Sequence, residues 1–336
     1  MNNHDSLGIG TALELFPEQI KNSFSQAVNC KLKIEYYDAV VVSGMGGSSN
    51  AGKIIAGLYE DTLQVPLIVQ NDYGLPAWVN KDTLVVANTY SGNTEETLSG
   101  LEEAKKVGAN VLGVTTGGKA AEMIKSGEIQ GCIIDPKDTN PPGYPKSGLG
   151  VSFGALLGVL VRVGVLGTTQ NELFSSLDEL SEIRKSWGVK EVAKSLYGYL
   201  PVLFGGSPFV GALNAGRNAI CEIGRTYTQF YDFPEVNHVL IEALGKPLVA
   251  KEKNRYLFFE SKFNHERVKL RYKITKQILD KQDLHHLTYI LQASGSLGQA
   301  LELAHYCAWL GYNLSIHENT DPGPEPWILE LKSKLS

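Results

Sequence analysis

Two short stretches of this 336-residue chain concentrate small hydrogen-bond donors. In Thr89-Tyr-Ser91-Gly-Asn93-Thr94-Glu-Glu-Thr97, hydroxyl side chains recur at nearly every turn of the chain. The other stretch, Ser43-Gly-Met-Gly-Gly47-Ser48-Ser-Asn-Ala-Gly52-Lys53, adds glycines. Each follows an apolar run, Ala39–Ser43 or Thr83–Ala87, and each leads into a helical pattern. Open parallel sheets bind ligands where strands end and helix N-termini offer free N–H groups. Glycine lets backbone approach closely, and Ser and Thr supply side-chain donors. Gly47, Ser48, Thr89, Ser91 and Thr94 therefore read as a cradle for a phosphate monoester that needs no metal.

Three other readings of these loops are weaker. A dinucleotide fingerprint requires glycine at 49, where the chain has Ser49. A Walker A loop is suggested by Gly47 and Gly52-Lys53, but Ile54 replaces the hydroxyl that would hold magnesium. Helix capping by Ser91 or Asn93, with Glu95 or Glu96, accounts for one hydroxyl and not for a row of them.

The elements that must position these loops follow from periodicity. A helical apolar pattern covers 11–29. Strand-like runs at 39–43, 66–70, 83–87, 110–115 and 132–135 then alternate with helices beginning near Asn50 and Asn93. Continuous apolar runs between helices indicate a parallel sheet covered on both faces. The pattern restarts with strands at 201–206, 254–260 and 286–292, helices from about Gly211, at 264–281 and 297–310, and a terminal helix at 326–335. The fold class is thus α/β, with two doubly wound halves: 1–171 with a leading helix, a helical bridge at 172–197, and 198–336.

Composition agrees with this. Apolar residues make up 43% and charged residues 20% of the chain, and the net charge is −5. There is no general attraction for nucleic acid or acidic membranes, so an anionic substrate must be met by local donors. Cys30, Cys132, Cys221 and Cys307 form no CxxC pair and suggest neither a zinc ribbon nor a disulfide framework. The N-terminus lacks the marks of a signal peptide, which makes the cytoplasm the expected location. The stretch 147–167 is interrupted by Arg162 and diluted by glycines, and reads as a buried helix or subunit interface instead of a membrane span.

At this point the motifs resemble a known family. Gly44-Met-Gly-Gly-Ser48 and Ser91-Gly-Asn-Thr94-Glu-Glu-Thr97 look like the sugar-isomerase (SIS) domain, which binds sugar phosphates. Asn218-Ala-Ile-Cys-Glu222, Pro234-Glu-Val-Asn237-His238 and the ending Asp321-Pro-Gly-Pro with Leu331-Lys332 resemble the bifunctional phosphoglucose/phosphomannose isomerases. The likeness spans 40–335. It implies two SIS-type domains, no cofactor, a sugar 6-phosphate substrate, and a homodimer with its active site near the interface. It also implies an aldose–ketose isomerase linking glucose 6-phosphate, mannose 6-phosphate or both to fructose 6-phosphate through a cis-enediol.

The resemblance assigns Glu222 as the base that moves a proton between C2 and C1. His238 matches the ring-opening histidine, Lys332 the terminal active-site lysine, and the hydroxyl loops the phosphate donors. One position departs. Where the family has a Pro-Arg segment whose arginine stabilises the enediolate, this chain has Pro145-Lys146, which keeps the charge without the planar fork.

The seven histidines include no HxH or HxxxH pair, so no metal site is expected. The rivals are a non-catalytic sugar-phosphate-binding SIS module and an isomerase of another phosphosugar. A DNA-bound regulator is disfavoured, because the first 38 residues carry only Lys21, Lys31 and Lys33 as basic side chains.

Overall fold

Valine-rich runs of the first half assemble into a five-stranded parallel sheet in the computed structural model, which describes residues 4–335. Two helices lead, α1 (Ile9–Glu14) and α2 (Phe16–Val28). Strands and helices then alternate: β1 (Ala39–Ser43), α3 (Gly46–Tyr59), β2 (Leu67–Gln70), β3 (Thr83–Thr89), α4 (Glu95–Val107), β4 (Asn110–Thr115), α5 (Gly118–Lys125) and β5 (Gln130–Ile133). A 3-10 turn at Pro145–Ser147 leads into α6 (Leu149–Arg162), followed by α7 (Gln170–Ile183) and α8 (Val189–Leu196). The second half comprises β6 (Leu200–Gly206), α9 (Val210–Glu222), β7 (Gln229–Phe233), α10 (Val236–Val239), α11 (Leu248–Lys253), β8 (Asn254–Glu260), α12 (Glu266–Lys281), β9 (His286–Ile290), α13 (Ser296–His317) and α14 (Pro326–Leu335).

The first sheet has the order β2-β1-β3-β4-β5 and the second β7-β6-β8-β9, with every pairing parallel. Both place the second strand outside the first, so the strand order reverses between β1 and β3, and again between β6 and β8. A crevice opens at such a reversal, at the carboxyl ends of the strands. In the first sheet Ser43 pairs with Ala87, which sets the two hydroxyl-rich loops side by side.

Several sequence expectations shift. The helix after β1 starts at Gly46 instead of near Asn50, because Gly46 takes the left-handed conformation (φ 51°) that lets the turn close early. The leading helix is two helices that meet at Leu15. Strand β5 lies at 130–133, two residues earlier than expected. The edge strand β7 carries polar residues at both Gln229 and Asp232, so no continuous apolar run announced it.

The glycine-rich stretch forms α6, a helix packed inside the chain against α2. A Cβ on Gly150 would stand 2.8 Å from Gln19 and one on Gly158 2.7 Å from Ala27, so these glycines let the two helices approach closely. Leu156, Leu157 and Leu160 of α6 are completely buried. This helix gives no ground for an interface. Among the described residues no helix is long and apolar enough to cross a membrane. Helices α7 and α8, read from sequence as a polar bridge, bury Leu173, Leu177, Leu180 and Leu196 in the main core.

The cysteine expectation is corrected as well. Cys30 and Cys132 form a disulfide across 102 residues, with Cα atoms 6.0 Å apart. Strand β5 runs beside the end of α2, a neighbourhood that sequence spacing does not reveal.

Candidate active site

The two hydroxyl-rich loops are tied to each other. Ser48 Oγ accepts from the Tyr90 N–H at 3.1 Å, and Asn88 Nδ2 donates to the Ser48 carbonyl at 2.9 Å. Thr89 Oγ1 lies 3.0 Å from Thr94 Oγ1 and accepts from the Gly92 N–H, while Ser91 Oγ accepts from the Asn93 N–H. Neither α3 nor α4 has a side-chain cap: their N-cap residues are Met45 and Thr94, and neither side chain bonds the first turn. The hydroxyls are thus not spent on capping, and two uncapped helix N-termini meet at the β1/β3 reversal.

Helix α3 carries this loop to the second half of the chain. It runs antiparallel to α9: Gly57 meets the Pro208 carbonyl, Gly211 meets that of Lys53, and Asn50 bonds Asn214 and Asn218. The last residue of α9, Glu222, is thereby delivered to the level of the first turn of α3. Gly47, Asn50, Lys146, Asn218, Glu222 and His305 line one small cavity there. Its volume, about 30 Å³, holds roughly one water and not a hexose phosphate.

Burial raises the Glu222 carboxyl above its ordinary range, and the nearby Glu325 carboxylate adds to this. Lys146, Arg217 and Arg225 pull the other way. A carboxylate more basic than usual suits proton abstraction from carbon. With Glu222 as a general base, which must be ionised to act, kcat/KM would fall as pH drops through an acid limb lying above the ordinary glutamate range. Glu325→Gln should move that limb to lower pH, and Lys146→Met should move it to higher pH and depress turnover. An unmoved limb in both variants would show that another group titrates.

The Lys146 side chain is 1% exposed and largely engaged. Its Nζ donates to the Pro322 carbonyl at 2.7 Å and to that of Gly323, and lies 3.3 Å from Glu325 Oε1. Burial lowers its pKa, Glu325 opposes that shift, and Arg225 adds to it. Arg225 also donates to the carbonyls of Pro322 and Pro324. Residues 322–325 therefore form a strap beside the cleft, held by two cations.

The structure brings Glu222, Lys146 and Gly47 together, and it ties Ser48, Thr89, Ser91 and Thr94 into one adjoining loop cluster. It does not bring His238 or Lys332 to this cleft within the chain. Helix α9 runs against the strand direction, so Glu222 lies at the amino end of the second sheet, whereas His238 follows the carboxyl end of β7. Five strand residues alone separate those ends by about 16 Å. Both His238 and Lys332 are exposed.

His305 lines the cavity but does not substitute for His238. It stacks on Phe16, its Nε2 lies 2.8 Å from the Leu13 carbonyl, and burial pushes its pKa down to about 3. It stays neutral across the working range. Sequence reasoning missed Glu325, Arg225 and Asn50. Arg225, one turn beyond Glu222, carried a weak local signal, while Glu325 carried none. Among the described residues no group of three or more His, Cys, Asp or Glu side chains is arranged to hold a metal.

The family model described as SIS domain matches residues 35–124, and that described as bacterial phospho-glucose isomerase C-terminal SIS domain matches 188–335. A bifunctional phosphoglucose/phosphomannose isomerase from Caldicellulosiruptor bescii is 30% identical over 334 residues, covering 95% of this chain and 96% of the relative. One from Aquifex aeolicus is 32% identical over 305 residues, covering 89% and 91%. The solved structure of tagatose-6-phosphate ketose/aldose isomerase from Escherichia coli shares the fold, with a TM-score of 0.72 at 15% identity over 97% of this chain and 100% of that one. With likeness running through both halves of the molecule, the chain belongs to the bifunctional phosphoglucose/phosphomannose isomerase family.

Proposed function

We propose that this protein is a metal-free aldose–ketose isomerase that links glucose 6-phosphate, mannose 6-phosphate or both to fructose 6-phosphate through a cis-enediol. One observation carries the reading: a half-buried carboxylate with a raised pKa, Glu222, lines one cavity with Gly47 at the uncapped start of α3. Gly47, Ser48, Thr89, Ser91 and Thr94 hold the phosphate. Glu222 takes the C2 proton of an aldose and returns it to C1, and its raised basicity favours the abstraction. Lys146 supplies positive charge near the developing enediolate. Since it is also held by the strap and by Glu325, its effect reaches the reacting atoms mainly as a field.

The ring-opening histidine is His238, acting in the cleft of a second copy of the chain, with Lys332 at the same interface. The separation of His238 and Glu222 within one chain supports this reading, in which the active unit is a homodimer. The enzyme works in the cytoplasm. Because the cavity admits no hexose phosphate, residues 322–325 move aside when substrate enters.

A coupled assay on glucose, mannose and fructose 6-phosphates tests the reading. Turnover should be unchanged after EDTA treatment. Loss on chelation that zinc restores would overturn the metal-free mechanism, and binding without turnover would favour the sensor reading.

A further inference from the structure

The hydrogen bonds between α3 and α9 fix how three amides are oriented. A guanidinium can only donate, so the Asn214 atom 3.0 Å from Arg217 Nη2 is a carbonyl oxygen. Asn214 therefore turns Nδ2, which also only donates, toward Asn50 at 2.6 Å. Asn218 Nδ2 reaches the same Asn50 atom at 3.3 Å. That atom must be Oδ1. The Asn50 amide nitrogen is then directed away from Asn214 and Asn218, with no hydrogen-bond partner among the described residues.

Asn50 is 4% exposed and lines the same cavity as Glu222. It stands one turn along α3 from Gly47, opposite Asn218, which stands one turn before Glu222. A donor held in a fixed direction beside a cavity can be used by a ligand. A site built to hydrogen-bond a hydroxyl rejects the analogue lacking it, because the site's own polar group is then left unpaired.

We propose that Asn50 determines substrate specificity by donating from Nδ2 to a hydroxyl on C3, C4 or C5 of the sugar phosphate. Arg217 is the positioning residue that sets this donor through Asn214. The inference rests on reading the cleft as a sugar 6-phosphate site.

Calorimetric binding of glucitol 6-phosphate, an open-chain hexitol phosphate that cannot isomerise, tests it independently of turnover. The wild-type protein should bind one of the 3-, 4- and 5-deoxy forms about tenfold more weakly than the parent. Asn50→Leu should bind the parent about tenfold more weakly and lose nothing further when that same hydroxyl is removed. Arg217→Met should cause a smaller loss, and that loss should vanish in the Asn50→Leu background. If the leucine variant does not fold, Asn50→Asp retains the acceptor for Asn214 while removing the donor, and the same result is expected.

Unchanged affinity in either Asn50 variant would overturn the proposal. So would deoxy losses that add in full to the loss from Asn50→Leu. Wild-type protein that binds the hexitol phosphate but isomerises nothing would sink the isomerase reading and leave the Asn50 result standing. Wild-type protein that does not bind it overturns both.

Discussion

Glu222→Gln should bind sugar 6-phosphates nearly as the parent protein does and turn them over about 10²–10⁴-fold more slowly. The amide matches the carboxylate in size, so the end of α9 and its packing on α3 should survive. What it loses is the capacity to accept a proton from carbon. In the proposed mechanism the phosphate is held by the loops after β1 and β3, which Glu222 does not form, so KM should change little while kcat falls. That split marks an interaction required only in the transition state. Parental turnover in the variant would exclude Glu222 as the base. A loss of affinity equal to the loss of turnover would place the residue in binding instead.

Mixed dimers should test how the site is assembled. His238→Ala should be strongly impaired on cyclic substrate, and more so than on an open-chain analogue, because ring opening is the step proposed for its imidazole. When Glu222→Gln and His238→Ala proteins are unfolded, mixed and refolded, activity should return. In a heterodimer of the two, one site combines both defects and the other is native. Random pairing makes about half of the dimers heterodimers, so roughly a quarter of parental activity is expected. If both groups served a site within one chain, every site in the heterodimer would carry one defect and mixing would restore nothing. Activity from a monomer at assay concentration would also contradict the arrangement.

The parts of this protein that were legible from the chain are those that local chemistry determines. Strands β1 and β4 match the ranges read from their apolar runs residue for residue, since the inner strands of a parallel sheet covered on both faces are largely apolar. The glycine and hydroxyl loops at 43–53 and 89–97 showed themselves because backbone approach and donor density are properties of short segments. What these loops face was a tertiary matter. Glu222 reaches α3 only because α3 and α9 pack antiparallel across more than 160 residues of chain. Lys146 read as the charge that replaces the family's arginine, yet its main partners lie 176 and 177 residues away, on the strap. The Cys30–Cys132 pair and the edge strand β7 were hidden for the same reason. Each depends on which elements become neighbours, and burial across that contact, not residue type, decides whether a charge is free, paired or shifted in its pKa. The distance between His238 and Glu222 is the sharpest case. Both residues matched one family's motifs, but the direction of α9 against its sheet puts them at opposite ends of the second domain.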